Sequence, residues 1–335
     1  MHYAGARLVT IALALLAVAL LSLGIMLGFF GRQAAPLDTL AHFRLHLAAL
    51  IAAPAILLVV VARGRERRVG LLALLFGAAA TVATVGTPLG NAVTQSAAIA
   101  GDLPRYRLLQ ANLRYDNEDG EALFSLIDRE RPDIVTLEEV SPLWAERLSA
   151  RAADYPYSIV CRRGIRIGGA AILSRHPFVG EPPRCADRGS MARATVDLDG
   201  AIVEIAALHM GWPWPYEDRR QLPALMPELA TLGQRAILAG DFNAAWWSAR
   251  VRSVADAAGI ALAGRAGPTW LHRRAPDWLR PLAGLPIDHV LIKGDIAPVV
   301  LRRGGNIGSD HLPVILDFAI EPDGAGGVVS AALAG

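Results

Sequence analysis

Only 6% of the 335 residues are aromatic, and there are just two cysteines. Two are too few for a scaffold held by a disulfide framework. In an oxidising compartment Cys161 and Cys185 can pair, and a pair of buried thiols is the other reading, since sequence supplies no Cα distance. No internal repeat occurs at solenoid periods, which excludes a stacked-repeat architecture. Charge of either sign is thin, and its net value of +2 hides an asymmetry. Residues 1–100 hold seven arginines against Asp38 and Glu66, leaving 26 basic and 29 acidic residues for the remainder. A mildly acidic remainder lacks the basic footprint of a nonspecific nucleic-acid binder, although local basic patches stay open.

What is abundant is apolar surface. With 53% hydrophobic residues and a mean hydropathy of +0.35 the chain is too apolar for an ordinary soluble enzyme, and the excess is localised. No charge interrupts Leu8 to Gly31, a run that exceeds the 7–15 residues or so of a signal-peptide core and reaches the roughly 20 needed to cross a bilayer. Leu45 to Ala62 follows, with Pro54 inside, and then Val69 to about Thr87. These read as three membrane spans, about 8–30, 45–62 and 69–87, within an anchor of residues 1–90. Arg63, Arg65, Arg67 and Arg68 crowd the short loop between the second and third runs, which the positive-inside rule places in the cytoplasm. Arg7 agrees; Arg32 and Arg44 in the first loop oppose weakly. The expectation is a multi-pass protein of the cell membrane with everything after residue 100 on the outer side.

A linker over 91–104 leads to a region of alternating strands and helices. Tyr106 to Asn112 is a strand ending on an amide, and Glu121 to Arg131 has helical spacing. Ile134 to Leu137 is a strand ending on Glu138-Glu139, followed by a helix with Ser141 as cap and Pro142 at its first position. Ala170–Ser174 and Ala192–Leu198 are strands, Ile202–Leu208 is another ending on His209, and Asp218–Leu232 is a helix. Ile237-Leu238-Ala239-Gly240-Asp241-Phe242-Asn243 is an apolar run that delivers a carboxylate and an amide after a glycine that lets the backbone turn. Ile287–Ile292 opens on Asp288, and Ser309-Asp310-His311 leads into Val314–Phe318. Each polar end has a bland explanation: Asn112 or Asp310 as a turn cap, Glu139 as a solvated helix start, His209 as a satisfied buried histidine, Asp288 as a turn opener. All of them together at one rim is the sharper reading.

These blocks in this order resemble the endonuclease/exonuclease/phosphatase superfamily with its DNase I-like fold. They are Gln-Ala-Asn (110–112), Pro-Asp-Ile-Val-Thr-Leu-Glu-Glu-Val (132–140), Gly-Gly-Ala-Ala-Ile-Leu-Ser-Arg-His-Pro (168–177), Ala-Leu-His (207–209), Gly-Asp-Phe-Asn (240–243), Ile-Asp-His (287–289) and Ser-Asp-His (309–311). The resemblance covers roughly residues 105–319, leaving 320–335 as a tail. It implies an α/β (α+β) four-layer sandwich, two β-sheets with helices outside, and hydrolysis of phosphodiesters or phosphomonoesters assisted by Mg²⁺ or Mn²⁺. A hard cation neutralises phosphoryl charge and prefers carboxylate and amide oxygens. By place in the motifs, Glu139 is the implied metal ligand with Asn112 and Asp310 near it. Asp241 positions or deprotonates water, Asn243 and His209 donate to phosphoryl oxygens, His311 contacts phosphate or moves a proton, and Asp288 holds its imidazole. Whether Asp241 or His311 is the base stays open.

The chain departs from the family in two places. Many relatives carry Gln-Glu where Glu138-Glu139 stands, and strand alternation would turn Glu138 away from the site. The acid that in nuclease relatives supports the residue matching His209 has no counterpart between Asp154 and Glu181. That segment carries Arg162, Arg163, Arg166 and Arg175, which either grip an anionic head group or belong to a solvated hairpin. Aromatic residues gather at Trp212-Pro213-Trp214-Pro215-Tyr216, Trp246-Trp247, Trp270 and Trp278, to stack on a base, lie in a membrane interface or cover the core. The expected substrate is a phosphate ester of a lipid head group or of nucleic acid, with the membrane itself as the other partner and no protein partner. A binding or sensing protein on an inactivated scaffold is the non-enzymatic alternative.

Overall fold

The computed structural model describes residues 2–86 and 103–323, apart from 163, 165, 217 and 218. The expected end of the third span at Thr87, most of the 91–104 linker, the tail beyond 323 and the helix start at Asp218 lie outside the described residues. The chain divides into two units: residues up to 88 with segments 213–216 and 247–252, and the remainder.

The first unit is helical: α1 (His2–Gly28), α2 (Ala35–His42), α3 (Arg44–Leu50), α4 (Ala52–Val61) and α5 (Arg65–Val85). Three stretches, Gly5–Gly28, Arg44–Val61 and Arg65–Val85, are long and apolar enough to cross a membrane. The second is α3 and α4 in succession. Its break at Ile51 has a local cause, because the ring of Pro54 crowds the carbonyl four residues back, that of Leu50. Small residues let these helices approach closely: a Cβ on Gly70 would stand 2.6 Å from the Ala55 carbonyl, and Ala48, Ala55, Ala73 and Ala80 are buried.

Among the described residues of the second unit twelve strands form two six-stranded mixed sheets. The first has the order β11 (Ala297–Arg303), β12 (Val314–Ala319), β1 (Arg105–Asn112), β2 (Ile134–Val140), β4 (Gly169–Ser174), β3 (Tyr157–Val160). The second has the order β5 (Arg184–Ala186), β6 (Met191–Leu198), β7 (Ala201–His209), β8 (Ala236–Asp241), β10 (Asp288–Lys293), β9 (Ala261–Leu262). Among the described residues only β1–β2 and β7–β8 pair in parallel, at the middle of each sheet. Leu108, Ile134 and Ile172 of the first sheet meet Val203, Ile205, Ile237 and Val290 of the second in one core. Alternation sends Leu109, Val135 and Leu137 to the opposite face, where α6 (Glu121–Glu130) and α7 (Pro142–Ser149) bury Leu123, Leu126 and Trp144 on them. The Ser141 hydroxyl accepts from Trp144 N at 3.4 Å and caps α7. Helices α8 (Gln221–Ala230), α9 (Ala249–Ala258) and α10 (Arg280–Ala283) complete the chain. Cys161, just after β3, is bonded to Cys185 in β5 with a Cα–Cα distance of 5.6 Å, so the disulfide ties an edge of one sheet to an edge of the other.

Candidate active site

Register assembles the site. In the second sheet His209 of β7 pairs with Asp241 of β8, and Asp241 pairs with Asp288 of β10. One row of backbone thus carries three polar side chains across neighbouring strands, which in any sheet lie roughly 4.8 Å apart. In the first sheet Asn112 of β1 pairs with Glu138 of β2 at the same ends of the parallel strands. His311 enters from the loop before β12.

The side chains interlock. His311 Nδ1 lies 2.9 Å from Asp288 Oδ2, while its Nε2 lies 3.8 Å from Asp241 Oδ2. Asn112 donates to Asp241 Oδ2 at 2.9 Å and to Glu139 Oε1 at 3.2 Å. Asn243, held at φ +48° in the left-handed region, gives its main-chain N–H to Asp241 Oδ1 at 2.8 Å. Its amide donates to the Met210 carbonyl at 2.7 Å and sits 3.5 Å from His209 Nε2. His209 Nε2 in turn faces Asp241 at 3.7 Å and Glu139 at 3.9 Å. The structure therefore brings Asn112, Glu139, His209, Asp241, Asn243, Asp288 and His311 together. Asp310 stands at the border, where its carboxylate accepts from the Trp270 indole at 3.1 Å.

Burial sets the protonation pattern. Loss of water raises the Asp241 carboxyl to about 8 and raises that of Glu139, against the lowering effect of the Tyr115 N–H and the Asn112 amide on the latter. For His311 burial alone would favour the neutral ring, but the charges of Asp288 and Asp241 outweigh it and hold the imidazole up at about 10. Burial also opposes ionisation of Asp288, yet His311 beside it keeps that carboxyl below its ordinary value. The result is an imidazolium bound to a carboxylate next to a second, more readily protonated carboxyl.

Two expectations change. Glu138 does not turn away from the site. It points into the space between the sheets, is completely buried, and accepts from Gln110 Nε2 at 2.7 Å, while the same Gln110 nitrogen reaches Asp288 Oδ1 at 3.1 Å. Simple alternation would have sent Glu139 to the helix-covered face instead. A bulge between Leu137 and Val140, with Glu139 at φ +57°, swings its carboxylate to the rim. Gly240, for its part, is no turn residue. It lies inside β8, where a Cβ would fall 1.9 Å from the Leu208 carbonyl, so glycine serves the close pairing of β7 with β8.

Gln110, Glu138 and Thr269 were not foreseen as part of the site. Thr269 Oγ accepts from Asp288 N at 3.2 Å and helps fix the start of β10. Gln110 carried a readable signal: two residues before Asn112, it shares that strand face. The aromatic residues divide. Trp246 and Trp247 are buried, Trp212 packs edge-on against Trp270 at 5.9 Å, and Trp212, Trp214, Tyr216 and Trp278 are exposed. Of the arginine segment, Arg162 and Arg166 line a cavity of about 640 Å³ beside Val140, and Arg163 lies outside the described residues.

Two mixed sheets carry polar groups at the shared end of their central strands. The profile of the Endonuclease/Exonuclease/phosphatase family matches residues 109–311, and the chain belongs to that family. Among solved structures, an endonuclease/exonuclease/phosphatase from Beutenbergia cavernae is similar at 21% identity and TM-score 0.51, covering 64% of this chain and 72% of that one. The 3′ phosphatase NExo from Neisseria, bound to a product DNA hairpin, is similar at 17% identity and TM-score 0.52, covering 64% and 100%. A family member from Bacteroides vulgatus is similar at 17% identity and TM-score 0.51, covering 65% and 100%. At these identities the likeness is one of fold. No curated protein sequence matches the chain.

Proposed function

We propose that the protein is a divalent-metal-dependent phosphoesterase anchored in the cell membrane by its three apolar helices, with the site on the extracytoplasmic side. The observation that carries the reading is the convergence of an acid–histidine pair, two further carboxylates and two amides on one rim, in a member of this family. The donor set fits a hard cation. Glu139 and Asp310 offer carboxylate oxygens, whereas Asn112 turns its amide N–H groups to Glu139 and Asp241 and its oxygen accepts from Arg114 N at 2.9 Å; the carboxyls of Glu139 and Asp241 are held high in pKa, which a cation would reverse. When bound, Mg²⁺ or Mn²⁺ would neutralise phosphoryl charge and stabilise the leaving oxygen.

The chain's own groups supply the rest. Asp241 takes the proton of the attacking water, steadied by Asn112 and the Asn243 N–H. His311, kept cationic and oriented through Nδ1 by Asp288, presents Nε2–H to a phosphoryl oxygen. Asn243 and His209 offer donors from the opposite wall, preorganised by the strand row.

A lipid head group is the substrate that the apolar helices and the exposed Trp212 favour, with DNA or RNA as the alternative that the DNA-bound relative keeps alive. The full chain in detergent, with Mg²⁺ or Mn²⁺ and an EDTA control, is to be offered phospholipid, sphingomyelin, DNA, RNA and an aryl phosphodiester side by side. Metal-dependent turnover of lipid alone is the expected outcome. Turnover of nucleic acid makes it a tethered nuclease, and metal binding without turnover of any of them returns the reading to a binding protein.

A further inference from the structure

Within the first unit, a cavity of about 210 Å³ lies at the junction of α1 and α3 and is lined by Arg32, Asp38, Arg44, Trp247 and Arg252. Arg44 is 4% exposed. Its stem packs so closely on Gly28 that a Cβ there would stand 2.9 Å from Arg44 Cγ, and its guanidinium lies 4.2 Å from the Phe29 ring centre. One of its terminal nitrogens donates to the Trp247 carbonyl at 3.3 Å. Arg44 Nε and Arg252 Nε are both buried with no hydrogen-bond partner among the described residues. Buried guanidinium N–H groups left unmatched are costly.

The carboxylate in the lining gives these two Nε–H groups no hydrogen bond. Asp38 accepts from the N–H of Ala249 at Oδ1 (2.6 Å) and from that of Arg250 at Oδ2 (3.1 Å). Three guanidinium groups thus border a small, partly open space whose single acid is engaged with backbone. A planar guanidinium fork matches a tetrahedral oxyanion and forms charge-assisted hydrogen bonds to it. In a helix that crosses a bilayer, this loop between the first two spans lies at head-group depth, where phosphate is concentrated.

We propose that this cavity is a phosphate-binding site, distinct from the hydrolytic rim, in which Arg44 and Arg252 hold one phosphate group. The phosphate belongs either to the head group of an anionic lipid or to the free ion.

The test is a calorimetric titration of the full chain in detergent with EDTA, first with inorganic phosphate and then with short-chain phosphatidylglycerol. His311→Ala is titrated in parallel to remove binding at the rim. One saturable event is expected to persist in His311→Ala, to weaken roughly tenfold or more in Arg252→Gln, and to recover in part in Arg252→Lys. Arg44→Gln should behave as Arg252→Gln does; where burial makes that variant unfold, the Arg252 pair carries the decision, checked by unchanged melting temperatures. Saturation by phosphate assigns the free ion, and saturation by phosphatidylglycerol alone assigns the head group. Absence of any saturable event in His311→Ala, or an event of wild-type strength in Arg252→Gln, overturns the proposal.

Discussion

His311 and Asp288 divide one task between a loop and a strand. If His311 works as an imidazolium, activity persists below its folded pKa of about 10 and falls as pH rises through it. Asp288→Asn removes the charge that raises that pKa, so the alkaline limb of kcat/KM against pH should move to lower pH; an unmoved limb assigns it to another group. Asp241→Asn and His311→Ala should each lower kcat by about a hundredfold or more while the melting temperature stays near wild type. Full activity in both, with metal still required, would end these role assignments. Which polar residues would meet was legible because Asn112, His209 and Asp241 close apolar runs, while Asp288 and His311 stand just before one. What was hidden was the path of the side chains. Glu138 and Glu139 look like an alternating pair, and only a bulge, which depends on the pairing with β4, brings Glu139 to the rim. Gln110 stands in the Gln-Ala-Asn block, yet no role was expected of a neutral amide that in fact links Glu138 to Asp288.

Among the elements, the central strands were readable and the edges were not. β3, β5, β9 and β11, which border the two sheets, went unrecognised, whereas β1, β2, β7, β8 and β10 fell close to their expected limits. Central strands bury both faces and so spell continuous apolar runs; edge strands such as β3 and β5 are partly exposed and share their composition with loops. The short α2 escaped notice for a related reason, since the charge pattern around Asp38 reads as a loop. Gly240 shows how a correct position can carry the wrong reason. Gly240→Ala must push β8 away from the Leu208 carbonyl, and a loss of at least about 1–3 kcal/mol in urea unfolding, with loss of hydrolysis, is expected. The Cys161–Cys185 bond acts between edges, far apart in pairing order. Replacing both cysteines with serine should lower stability by about 2–4 kcal/mol, read as a fall in the urea midpoint, with the metal requirement unchanged.

At the scale of the whole molecule, one chain joins a unit rich in alanine, glycine and leucine to a sandwich whose polar groups are gathered at one end. Among the described residues three stretches are long and apolar enough to cross a bilayer, and the expected cytoplasmic side of the loop between the last two rests on the arginines at 63, 65, 67 and 68. A phosphatase reporter that works only outside the cytoplasm should be active when fused after Gly101, and a reporter that works only inside should be silent; the reverse pattern inverts the topology. The strand row of His209, Asp241 and Asp288 has a consequence for how such a protein can change. The loops that follow Met210 and Asn243 can be lengthened without disturbing the row. Inserting or deleting a single residue inside β8, however, would exchange Asp241 for its neighbour Gly240 or Phe242. Strand length is the ruler of this chemistry, and variation in specificity has to be written in the loops.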